Sequence, residues 1–198
     1  MSGTPAVRLD SLLEALASKE PAPASGSAAA AVLAAAAALL EKCASVSTTH
    51  MPDAASVHAK AHALRLHAEE LIEQDTHAYV EFVVAQRSAK ELTGNELAEA
   101  LQPSAARTVE VPLDIVRSSA EVAELADQLA ARGNPKLRAD AVISAMLCSA
   151  VADAGTVLIG VNVGVKPGSS SRDGRLAEAK RIARSLRTRA RRLASQAP

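Results

Sequence analysis

Few side chains in this 198-residue sequence stand where chemistry is the natural explanation, and Asp75 is the clearest of them. Leu64, Ala68, Leu71, Ile72, Tyr79, Phe82 and Val83 recur three and four apart, the spacing of one helix face, while Glu69, Glu70, Glu73, Gln74 and Glu81 fall elsewhere. Asp75 stands four after Leu71 and four before Tyr79, on the apolar stripe. A carboxylate there either faces an opening in the core or costs free energy. In a partly apolar cleft its pKa rises toward neutrality, which suits a general acid or base. Asp140, Asp153 and Asn162 interrupt a second apolar run, and each has a plain alternative. Asp140 suits a helix start favoured by the dipole, and Asn162 suits a hydrogen-bonded core amide. Gly26-Ser27 opens an Ala-rich run. A helix N-terminus there offers free N–H groups to an anionic ligand group or a developing negative charge.

Other chemistries lack their residues. The sequence holds no phosphate-binding glycine loop, no dinucleotide fingerprint and no HExxH. His58 and His62 have the i, i+4 spacing of metal ligands, but no nearby carboxylate motif completes a set, so no metal is expected. Cys43 and Cys148 lie in apolar helical runs and read as buried thiols of a cytoplasmic protein.

The elements that must position these residues are helices. Forty-five residues are Ala, the strongest helix former and a poor strand residue, so the expected class is all-α. Only Tyr79 and Phe82 are aromatic, which argues against a base-stacking nucleic-acid platform. Periodicity and Pro/Gly punctuation predict six helices, over about 8–18, 27–45 with Ser27 as N-cap, 54–89, 105–131, 137–165 and 175–195. A softer stretch is expected over 90–104. Pro112 is expected to kink or restart the fourth helix, and 167–174 reads as a Ser/Gly loop. The apolar runs 28–40 and 141–165 suit buried helices better than membrane spans, and no signal peptide is apparent. Residues 172–198 carry nine basic and two acidic side chains, and a pairing with the acidic remainder is the simplest reading. The expectation is one domain over 1–198, an antiparallel multihelical bundle with no membrane partner, forming a homodimer.

The order of the motifs resembles the cyclodeaminase/cyclohydrolase family, meaning the C-terminal domain of formiminotransferase-cyclodeaminase and the stand-alone methenyltetrahydrofolate cyclohydrolases. The resemblance runs from about Leu9 to Leu193. It is carried by LEALASKEPAPASGSAAAA, by Asp75-Thr76-His77-Ala78-Tyr79, by Val111-Pro112-Leu113, by Gly133-Asn134-Pro135 with Asp140 five residues on, and by Asn162. It implies a helical homodimer binding a folate near the subunit interface. The implied reactions are ring closure of 5-formimino-tetrahydrofolate with loss of ammonia, or interconversion of 5,10-methenyl- and 10-formyl-tetrahydrofolate. No cofactor is implied beyond the tetrahydrofolate substrate itself. Asp75 and Asp140 are then the catalytic residues, and Ser25, Gly26, Ser27, Tyr79, Asn134 and Asn162 the substrate contacts.

The sequence departs from the family pattern at Ala24-Ser25-Gly26 in place of three glycines, at Ser45-Val46-Ser47 in place of Asn-x-Thr, and at Leu158 in place of an Asn. A Lys-Lys-Tyr motif is replaced around Thr48 to Met51. Two other readings stand beside this one, the first motivated by these departures and the second by the Arg-rich last helix. One is a family member with a non-folate substrate. The other is a catalytically silent helical dimer acting as an interaction module.

Overall fold

A computed structural model describes residues 8–164 and 173–196. Six α-helices follow in order: α1 (Leu9–Leu16), α2 (Ser25–Ser45), α3 (Ala54–Ser88), α4 (Gly94–Arg132), α5 (Arg138–Asn162) and α6 (Gly174–Ser195), with a 3-10 turn at Pro135–Leu137 before α5. No strand occurs among the described residues. The loop expected over 167–174 falls mostly outside them.

The Ala-rich α2 is the central rod. It packs on α3, α5 and α4, and α6 covers α5 and α4. Ala30, Leu33, Ala36, Ala37, Leu40 and Ala44 are fully buried, because small side chains let three neighbours approach at once. α2 and α5 run antiparallel: the Ser144 hydroxyl donates to the Ala36 carbonyl at 2.9 Å, and Lys42 near the end of α2 reaches Asp140 near the start of α5. α2 and α5 are each long and apolar enough to cross a membrane, and half of each apolar window is buried inside the bundle.

Three boundaries differ from the sequence expectations. α2 starts at Ser25 with Ala24 at the cap, so Ser27 is its third residue and not its N-cap. The stretch read as soft is helical from Gly94 onward, with Pro103 inside it. Pro112 does not restart α4, which runs unbroken through it. A proline removes the N–H that would bond the carbonyl four residues earlier, and here the Asn162 side-chain amide donates to that carbonyl, Thr108 O. The repair needs α5 close to α4, which Gly155 permits: a Cβ there would collide with Val116 and lie 3.3 Å from Pro112 O.

The basic last helix is tied to the body. Arg175 pairs with Glu110 and Asp173, Arg187 with Asp153, and Arg189 and Arg192 with Asp127.

Candidate active site

Asp75 projects from the middle of α3 onto the first turn of α2. The Ser27 hydroxyl donates to Asp75 Oδ2 at 2.9 Å, and the Ser27 backbone N–H also bonds the carboxylate. Ser27 Oγ also lies 3.2 Å from Ile72 O and from Thr76 Oγ1. Thr76 in turn donates to Ile72 O at 3.2 Å, which leaves the single Ser27 proton for the carboxylate, the stronger acceptor. α2 has no capping side chain of its own. Asp75 therefore does from α3 what an N-cap residue does locally, satisfying a first-turn N–H and meeting the positive end of the dipole.

The approach is close enough to dictate a residue type. A Cβ on Gly26 would overlap the Asp75 carboxylate, so this position of α2 must be glycine for the acid to sit where it does. Burial pushes the Asp75 pKa up, and the hydrogen bonds from the Ser27 side chain and backbone pull it partly back. The net direction is upward. Among the described residues no Lys, Arg or His forms an ion pair with Asp75.

Asp75 borders a hollow of about 210 Å³ between the start of α2, α3, α4 and the end of α5. Ser25, Gly26, Tyr79 and Asn162 line it together with Asp75. Sequence reasoning missed Thr108, Pro112 and Ala22, which also line it. A signal for Thr108 was present: a proline inside a helical run frees the carbonyl four residues before it. Leu158, where the family pattern has an Asn, contributes an apolar wall. Ser27 is fully buried behind the carboxylate and does not line the hollow, so it positions Asp75 and does not contact a ligand.

Two candidates lie elsewhere in the chain. Asp140 pairs with Lys42 at 3.3 Å. Lys42 follows Ser27 by fifteen helical residues, placing Asp140 about 22 Å from Asp75 along the bundle. Asn134 is occupied by local structure at that same end: its amide donates to Val46 O, its Oδ1 accepts from Lys136 N, and its backbone N–H bonds Ser47 Oγ at 2.9 Å. Both were expected beside Asp75, and within one chain neither is. Their helix-start and turn positions put them where α5 begins, while the hollow lies where α5 ends.

A larger groove of about 530 Å³ runs between α3 and α4. Its Lys60, Glu121 and Glu124 are exposed and solvated, so volume alone does not make it the reactive site. His58 and His62 stack at 6.4 Å, and His62 Nδ1 pairs with Glu41 at 3.0 Å.

A family model described as formiminotransferase-cyclodeaminase matches residues 8–179, nearly the whole chain. The chain belongs to the formiminotransferase-cyclodeaminase family. The matched stretch holds every candidate residue from Ser25 to Asn162. The fold is similar to the crystal structure of formiminotetrahydrofolate cyclodeaminase from Thermotoga maritima, with a TM-score of 0.78, 22% identity, and coverage of 94% of this chain and 95% of that one. No curated protein matches the sequence. In this member of the formiminotransferase-cyclodeaminase family the Asp75 hollow thus brings together a desolvated acid, a helix N-terminus and an amide.

Proposed function

We propose that the protein is a folate one-carbon enzyme that closes 5-formimino-tetrahydrofolate to 5,10-methenyl-tetrahydrofolate with release of ammonia, and that Asp75 carries the proton. The observation that carries this reading is the Asp75 carboxylate, half-buried, held by Ser27 and facing an open hollow, in a chain of the formiminotransferase-cyclodeaminase family.

The chemistry suits such a group. The protonated formimino carbon is attacked by N10, giving a tetrahedral carbon between N5 and N10. Asp75 takes the N10 proton and returns it to the exocyclic amine. Ammonia then leaves as the C–N bond breaks and the methenyl cation forms. No net proton is consumed, so one group alternating between base and acid suffices. Substrate and product both carry positive charge on the one-carbon unit, which an unpaired carboxylate in a low-dielectric hollow stabilises. Tyr79, one turn after Asp75, provides the ring face for a pterin, and Asn162 and Ser25 provide polar contacts at the rim.

Addition of water to 5,10-methenyl-tetrahydrofolate proceeds through the same kind of tetrahedral carbon, so a cyclohydrolase activity at this site needs the same proton carrier. We read residues 1–198 as one cyclodeaminase-like unit working as a homodimer. A reducing, cytoplasmic setting fits thiols that burial pushes up to about 11 at Cys43 and about 12 at Cys148, where they stay protonated and inert.

The test is to supply purified protein with 5-formimino-tetrahydrofolate and to follow methenyl absorbance and ammonia together. Coupled appearance of both is expected. Absence of either in the wild type contradicts the reading.

A further inference from the structure

Pro112 leaves one carbonyl in the wall of the Asp75 hollow without its helical donor, and the residue that repairs it lines the same hollow. Thr108, Pro112 and Asn162 border that space together with Asp75. The Asn162 side-chain nitrogen donates to Thr108 O. Pro103 frees a carbonyl of the same helix at Glu99, which is exposed to solvent. Among the described residues, only the proline at the hollow has its loss repaired by an amide.

The repair decides which way that amide faces. An Asn side chain has a donor end and an acceptor end, and a carbonyl accepts only from the donor. With the nitrogen committed to Thr108 O, turning the amide over would set two carbonyl oxygens against each other. No described side chain donates to Asn162 Oδ1, and Arg175, across the neighbouring groove, is held by Asp173 and Glu110. Asn162 is exposed, so its oxygen is open to a ligand. It is the one amide side chain in the described lining, because Leu158, one turn earlier on α5, is apolar.

We propose that Pro112 is a positioning residue that sets the choice of substrate. Through Thr108 O it holds the Asn162 amide with its oxygen toward the hollow, so the site takes a one-carbon unit that carries N–H donors and rejects one that carries a carbonyl. Asp75 and Asn162 Oδ1 then offer two acceptors, and a protonated formimino group brings N–H donors to both. A formyl group is nearly isosteric but brings an oxygen in place of the nitrogen, and meets Asn162 acceptor to acceptor. The substrate choice rests on the folate reading of the site; the orientation of the amide does not.

The experiment restores the missing donor. Pro112→Ala returns a backbone N–H to Thr108 O and so releases Asn162 to turn over. Wild type and variant are compared for KM with 5-formimino-tetrahydrofolate and for inhibition by 5-formyl-tetrahydrofolate. In the variant the formimino KM is expected to rise and the formyl Ki to fall, each by about threefold or more, the worth of one hydrogen bond. Movement in opposite directions is the signature, since loosened packing around the buried Pro112 would weaken both ligands. Adding Asn162→Leu to Pro112→Ala is expected to abolish the gain for the formyl compound. Constants that move together or stay still, or a formyl gain that survives Asn162→Leu, overturn the substrate choice. A second readout is the Asn162 side-chain NH2 resonance of isotope-labelled protein, assigned by its loss in Asn162→Leu. It is expected to shift in Pro112→Ala, and an unmoved resonance overturns the orientation. Protein that shows the shift but binds neither folate fails the folate reading and leaves the orientation standing.

Discussion

The two ends of the α2–α5 pair hold the same kind of side chain in opposite circumstances. At one end Asp75 is half-buried, held by Ser27 without a cation, and its pKa is raised by desolvation. At the other, Asp140 is paired with Lys42 in a setting that solvent reaches. An aspartate in an apolar helix is therefore not one signal but two. A carboxylate desolvated against a helix N-terminus keeps reactivity that one neutralised by a lysine gives up. The contrast also sets how each end responds to charge: ionising Asp75 disfavours the fold, whereas the Asp140 pair adds a little to it.

Substitutions separate the two ends. The largest effect is expected from Asp75→Asn, which should reduce turnover by about 10²–10⁴-fold, the ordinary worth of a positioned acid–base group. Measured by steady-state kinetics, a loss under tenfold would erase the distinction. Gly26→Ala comes next. Its methyl collides with the carboxylate, and overpacking of this kind costs about 1–3 kcal/mol. Denaturant titration should show that loss, with turnover falling as the acid is displaced. Asn162→Leu leaves Thr108 O without the donor that Pro112 cannot supply, and with solvent able to reach the site the loss is about 0.5–1.5 kcal/mol by the same measurement. The smallest effect on stability belongs to Asp140→Asn, since the largely exposed pair with Lys42 is worth about 1 kcal/mol at most.

Stability against pH sharpens the comparison further. Asp75 binds its proton more tightly folded than unfolded, so ionising it disfavours the fold. Below the unfolded carboxylate pKa of about 3.9, wild type and Asp75→Asn should be alike on this account. As pH rises through the elevated folded value the wild type loses ground, and above it the variant stays the more stable by a constant margin. Thermal melts across pH read the difference directly, and a variant that is less stable at neutral pH would mean that the carboxylate is there mainly to cap α2.

The helical class and five of the six helices were legible because Ala content and periodicity are local properties. The start of α4 was not. Gly94 and Pro103 signal a loop by composition, yet α4 remains helical through Pro103 on its exposed side, where the carbonyl freed by the proline meets water. Asp75 was legible because its defect is local, one charge on an apolar stripe. The placement of Asp140 was not, because Gly133-Asn134-Pro135 and the acid after it fix where α5 starts and carry no information about which end of the bundle faces the hollow. Ser27 was legible as a member of the site and misjudged in role, since whether a hydroxyl faces a ligand or an acid depends on α3 lying against it.

The central claim is that a desolvated Asp75 transfers the proton, and the pH dependence of kcat/KM for cyclisation of 5-formimino-tetrahydrofolate tests it most directly. The wild type is expected to show a limb above the ordinary carboxylate range, and Ser27→Ala, which removes a hydrogen bond that favours the ionised acid, should move that limb higher. A limb that persists unchanged in Asp75→Asn would contradict the account.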